Sequence, residues 1–169
     1  MDDRSFAGQR RRFLRAGGIL SIALLAGCNT SRVLTPETGR GSDQTEATLG
    51  LINALRANKG LQPLVRDAAA SAAALDQATR MARADKMQHN IGLGANFYDR
   101  MKGQDVALPA AENIAAGQDD AARAFDAWAR SPKHLVNMLG PDYRGLGVAV
   151  VTNPASGNRP YWAMVLSAG

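Results

Sequence analysis

The chain has 169 residues, 46% of them hydrophobic, which is enough for one domain with an additional segment at its N-terminus. Its formal charge of +5 is concentrated at the front: five of the 20 Lys and Arg, against two of the 15 acids, precede Cys28, so the remainder carries only +2. Beyond that point no basic cluster is interleaved with aromatics, which argues against nucleic-acid binding. Cys28 is the only cysteine, which excludes a disulfide within a monomer.

Residues 1–27 read as an address rather than as structure. Arg10-Arg11-Arg12-Phe13-Leu14-Arg15 resembles a twin-arginine export signal, and the apolar run 16–26 that follows is too short to span a bilayer. The run ends Leu24-Leu25-Ala26-Gly27-Cys28, similar to a bacterial lipobox, whose cysteine becomes the lipidated first residue of the mature chain. An ordinary cleaved signal with a chance cysteine is the alternative. Asn29 after the cysteine, in place of Asp, resembles signals sorted to the outer membrane of two-membraned bacteria. Residues 28–44 form the lipidated cysteine and a Thr-, Ser- and Gly-rich flexible tether, and the folded domain is expected over 45–169.

Within that domain, Asp43 and Glu46 have the spacing of a capping box before a helix carrying Leu51, Ile52 and Leu55, which stops at Asn58-Lys59-Gly60. Residues 61–65 are a proline-containing connector. Asp67 caps a second, alanine-rich helix running to about residue 88, with Leu75, Ala78 and Ala82 on its inward stripe. Seven residues past Ala82 comes His89, on the same face if the helix persists; the alternative is a helix-end histidine tying down a carbonyl. Phe97, Tyr98 and Met101 mark a possible short helix in 92–103. In Ala111-Glu112-Asn113-Ile114-Ala115-Ala116-Gly117, alternation puts Glu112 on the side of Ile114. A carboxylate buried there needs a charge, a donor or a metal; a surface glutamate is the alternative.

Residues 119–130 read as an amphipathic helix carrying Ala121, Ala122, Phe125, Trp128 and Ala129 on one stripe. Pro132 ends it and opens another, with Ser131 as N-cap and Pro132 at the first position. That puts His134 near the positive end of a helix, where the neutral imidazole is favoured. Residues 146–152 and 161–166 are the strands of a hairpin, Gly145 and Gly147 allow close backbone approach, and the segment around Asn113 supplies a third strand. Helices on such a small antiparallel sheet make an α+β sandwich.

Four motifs, in this order, carry a resemblance to the CAP superfamily of cysteine-rich secretory, antigen 5 and pathogenesis-related proteins, in its short bacterial branch. They are His89; Ala111 to Gly117, close to the family's Gly-Glu-Asn-Ile; Trp128 with Ser131-Pro132-Lys133-His134-Leu135-Val136-Asn137; and Tyr143-Arg144-Gly145-Leu146-Gly147-Val148 with Tyr161-Trp162. The resemblance implies a three-layer α-β-α sandwich with a shallow cleft whose floor holds two histidines and two acids. By position these are His89, His134 and Glu112, with Asn113, Trp128, Ser131 and Asn137 in support. The second acid of the animal and plant branch falls on Ser131 here. Three candidate ligands remain, and two His with one Glu is a known zinc set with an open fourth position; a hydrogen-bonded cluster stitching helices to sheet is the other reading.

The expected function is a non-catalytic, membrane-anchored envelope module, monomeric, facing the periplasm and using the cleft for a peptide, lipid or cell-wall ligand. The alternative is a zinc hydrolase in the same cleft. A Ser131 nucleophile is a weaker variant, with no Gly-x-Ser-x-Gly elbow in the chain, and a purely structural anchor is weaker again.

Overall fold

The computed structural model describes residues 39, 41–93 and 95–169. The signal segment, Cys28 and the tether through residue 38 lie outside them.

Continuous β-branched and small apolar residues make the expected hairpin, with strands Gly145–Asn153 (β4) and Arg159–Ser167 (β5) pairing from Gly145↔Ser167 to Asn153↔Arg159. Ala111–Ala116 (β3) adds antiparallel to β5, as the position of Asn113 implied. Two further strands lie on the far side. Gly41–Asp43 (β1) pairs antiparallel with β4, and Val65–Arg66 (β2) pairs parallel with it. Among the described residues the sheet thus has five strands, with β3 alone at one edge.

β1 corrects the tether, whose last residues belong to the sheet. The short strand lies along β4, where a Cβ on Gly41 would come 2.6 Å from Leu75 Cδ1. β2 likewise corrects the connector, since Pro63 precedes the strand and leaves the Val65 N–H free to donate to Arg144 O.

Alternation along the strands divides the core into two layers. Ile114, Ala149, Val151, Tyr161, Ala163 and Val165 meet the alanine face of helix Ala68–Ala84 (α2, following α1 below). Leu146, Val148, Trp162, Met164 and Leu166 meet Thr45–Ala57 (α1), Ala121–Arg130 (α4) and Pro132–Met138 (α5), through Ile52, Ala124, Trp128 and Met138. Phe97–Gly103 (α3) joins the α2 layer through Met101. This is the expected α-β-α sandwich. Gly147 sets its spacing, because a Cβ there would stand 2.1 Å from Ser71 N and 2.2 Å from the Ala70 carbonyl carbon.

Three local expectations change. The Asp43–Glu46 capping box is absent: Asp43 Oδ1 accepts from Thr45 N–H at 2.8 Å, while Glu46 lies 3.9 Å from Arg66. Helix α4 starts at Ala121, with Asp120 as its capping residue, and buries Ala124 rather than Ala122. Helix α2 stops at Ala84, short of residue 88. Asp85 turns left-handed (φ 50°), its N–H bonding Ala82 O and that of Lys86 bonding Met81 O, the Schellman pattern. Its carboxylate also accepts from Tyr161 Oη at 2.5 Å, a tertiary contact that rewards the turn. His89 therefore stands in a loop, not on the helix.

Candidate ligand-binding cleft

The loop that carries His89 is fastened by polar side chains of the layer beneath it. Gln77, wholly buried on α2, donates Nε2 to the carbonyls of Gln88 and His89 at 2.7 and 3.2 Å. Arg100 Nη2 also reaches His89 O, at 3.4 Å. So held, His89 Nδ1 lies 2.8 Å from Glu112 Oε1. A carboxylate only accepts, so Nδ1 carries the proton of that bond. The His89 side chain is 52% exposed and the Glu112 side chain 2%.

The Glu112 carboxylate has a second and stronger partner. Arg100 of α3 donates Nη1 to Oε2 and Nη2 to Oε1, both at 2.9 Å, a bidentate fork in which the arginine side chain is itself only 2% exposed. The sequence reading does not single out Arg100. The available signal was its place between Phe97 and Met101 on one helical stripe, together with the requirement that a buried carboxylate find a cation.

His134 is placed from the opposite layer. Helix α5 begins at Pro132, as expected, but the Ser131 hydroxyl makes no capping hydrogen bond. The helix is fixed instead to the sheet edge by amides: Asn113 Nδ2 donates to His134 O at 3.1 Å, and Asn137 Nδ2 donates to Asn113 Oδ1 at 2.8 Å. Its far end is held by Arg56, fully buried on α1, whose Nη1 donates to Met138 O and Gly140 O at 2.9 Å each. Burial, and then the charge of His89, lower the pKa of His134. The neutral imidazole expected there is favoured, though by desolvation rather than by the helix end.

His89 and His134 face one another across a cavity of about 480 Å³, lined also by Met87, Gln88, Asn90 and Ile114. A second cavity of about 240 Å³ shares Met87, Ile114 and His134 and runs on to Ala116, Gln118, Trp128 and Ser131. Both lie at the edge strand β3. The structure therefore brings the two histidines to one cleft but puts Glu112 behind it, bonded to His89 and locked to Arg100.

The candidate zinc set does not fit this arrangement. Among the described residues no three His, Cys, Asp or Glu side chains are grouped to hold a metal. Both Glu112 oxygens already accept from Arg100. A divalent ion about 4 Å from that guanidinium would meet a repulsion on the order of 8 kcal/mol at an effective dielectric of about 20. The serine variant gains nothing either, since among the described residues no hydrogen bond joins the Ser131 hydroxyl to His89 or His134.

Residues 49–166 match the family model described as CAP, cysteine-rich secretory protein family. The chain belongs to the CAP family. Its CAP domain is 32% identical over 102 residues to YkwD, an uncharacterised protein of Bacillus subtilis, in a match covering 60% of this chain and 40% of that relative's length. Among solved structures, the CAP domain is similar to an extracellular protein containing an SCP domain from Bacillus anthracis (TM-score 0.66, 24% identity, 75% of this chain and 40% of the other). It is also similar to an outer surface protein of Borrelia burgdorferi (TM-score 0.65, 21% identity, 76% of this chain and 97% of the other). These two likenesses concern the fold, and they agree with the α-β-α sandwich. On the CAP fold found here, the cleft is the groove at β3 between the His89 loop and α5.

Proposed function

We propose that the chain is an exported, membrane-tethered CAP-domain protein whose cleft binds a peptide, lipid or cell-wall ligand without reacting with it. The observation that carries this reading is the Arg100–Glu112 fork. The one acid at the site is buried and doubly paired, so it is placed to position His89 rather than to serve as a base or a ligand. The alternative, a zinc hydrolase, needs that carboxylate free. Export and anchoring rest on the signal-like residues 1–27 and on Cys28, and the two solved relatives are described as extracellular and outer-surface proteins. The anchor faces the periplasm, with the outer membrane favoured by Asn29, and the protein is a monomer.

Two measurements test the cleft. Zinc titrated calorimetrically into the full-length protein should give no heat above background; site-specific binding lost in both His89→Ala and His134→Ala restores the metal reading. Thermal-shift screening against peptides, lipids and peptidoglycan fragments should find a ligand that stabilises the protein by mass action, by about 2.7 kcal/mol at a hundredfold excess over Kd. Mass spectrometry of the mature N-terminus should find an acyl group on Cys28, and a bare cysteine overturns the tether.

A further inference from the structure

Three of the four buried side-chain nitrogen or oxygen atoms that lack a hydrogen-bond partner among the described residues are Gln118 Oε1, Trp128 Nε1 and His134 Nδ1. All three residues wall the same 240 Å³ cavity. Buried polar atoms in native proteins are almost always paired, and a tryptophan N–H in particular finds an acceptor. Trp128 is 1% exposed, and its N–H finds no acceptor among the described residues. The chemistry of the missing partner follows from the orphans. Trp128 Nε1 can only donate and Gln118 Oε1 can only accept, while a neutral His134 can do either. A secondary amide offers one acceptor and one donor in a single rigid group. A carboxylate offers acceptors alone, and an acyl chain offers neither.

The backbone beside this cavity has the same complementarity. Antiparallel pairing alternates, and Gly117 N donating to Pro160 O continues the β3–β5 ladder through the odd-numbered residues of β3. The even-numbered residues then turn their N–H and C=O groups outward. Glu112 bears this out, since its carbonyl lies 3.5 Å from Asn137 Nδ2 on the outer side. The next two outward residues are Ile114, which lines both cavities, and Ala116, which lines the second. An extended chain laid against them would meet a donor and an acceptor at every second residue, about 7 Å apart.

Resting on the reading of the cleft as a binding site, we infer that its ligand is an extended, uncharged peptide segment that adds to β3 as a further strand and sets one of its amides among Trp128, Gln118 and His134. Half-exposed Met87, which lines both cavities, gives such a segment an apolar contact. The recognition mode is strand addition, with main-chain hydrogen bonds supplying affinity and the two cavities taking side chains.

The test uses full-length protein labelled with nitrogen-15 and a blocked hexapeptide of alternating valine and threonine. The peptide should shift the Trp128 indole N–H resonance and slow hydrogen exchange at the Ile114 and Ala116 amides by about tenfold or more. The same peptide N-methylated at alternate residues should lose both effects, a control that leaves the protein unaltered. Trp128→Phe should weaken binding about tenfold while keeping the ring in the core. An N-acetylglucosamine trimer that shifts Trp128 without protecting Ile114 and Ala116 overturns the strand and assigns the cavity to a sugar N-acetyl group, leaving the binding function intact. Fatty-acid micelles that shift cleft resonances where the peptide does not overturn the peptide alone. Silence from all three probes at millimolar concentration overturns both this inference and the binding role.

Discussion

Replacing Arg100 by methionine keeps most of the side chain's aliphatic length and removes the charge against which Glu112 is buried. The carboxylate loses both 2.9 Å hydrogen bonds and keeps only the bond from half-exposed His89. Removing one partner of a buried pair costs about 3–5 kcal/mol, because the remaining charge stays buried without compensation. A domain of this size has about 5–15 kcal/mol in all, so the variant should lose about a fifth or more of its stability. Its melting temperature should fall on the order of 10–15 °C. Urea unfolding followed by far-UV circular dichroism measures the loss. The double variant Arg100→Met/Glu112→Leu should recover most of it, since removing both charges leaves no stranded ion. A single variant costing less than about 1 kcal/mol, or a double variant as unstable as the two singles added, would refute the buried-pair account.

Three other changes probe the frame around the cleft. Gly147→Ala puts a methyl group 2.1 Å from Ser71 N, against helix backbone that has no flexible end to move, and should cost about 1–3 kcal/mol or more by calorimetry. Arg56→Met strands the carbonyls of Met138 and Gly140 at the end of α5 and should cost about 2–4 kcal/mol in urea unfolding, with exchange broadening of His134 resonances. For His134, whose folded pKa is lowered, the unfolded chain binds the proton more readily. Its contribution is complete above the unfolded value of about 6.5 and is lost as pH falls below it. His134→Gln should flatten that acid limb in urea midpoints measured from about pH 7.5 down to about pH 5.

Local signals made much of this fold legible. Asp67 accepts the N–H groups of Ala69 and Ala70, as a capping aspartate before an alanine run should. Pro132 opens α5, and Glu112 shares a side with Ile114, because both follow from rules that act within a few residues. The failures are nonlocal. Asp85 ends α2 in a left-handed turn that glycine would have announced, and the carboxylate that holds the turn bonds Tyr161, 76 residues away. Helical periodicity therefore could not place His89, although the loop delivers it to Glu112. Gly41 to Asp43 have tether composition and become a strand only because β4 offers them an edge. Arg100 lies beside Asp99 and Lys102, which look like solvent-facing residues, and the partner that draws it inward lies twelve residues on.

That arginine also decides what kind of selectivity the cleft can have. A guanidinium bonded to both oxygens of Glu112 cancels the one negative charge at the site and removes the free carboxylate a metal would need. On the facing bank, burial and the charge of His89 both disfavour a charged His134. What the proposed peptide would meet in the cleft is a pattern of single donors and acceptors: an indole N–H, an amide oxygen, an imidazole and the outward backbone of β3. Such a pattern discriminates by geometry, because a ligand that cannot match it leaves buried polar atoms unpaired, whereas long-range attraction contributes little. Recognition of this kind needs a rigid frame. The frame is supplied by Asn113 and Asn137 joining β3 to α5, Gln77 and Arg100 fastening the His89 loop, and Arg56 holding the end of α5. Buried polar side chains that do not face the cleft therefore fix the positions of those that do.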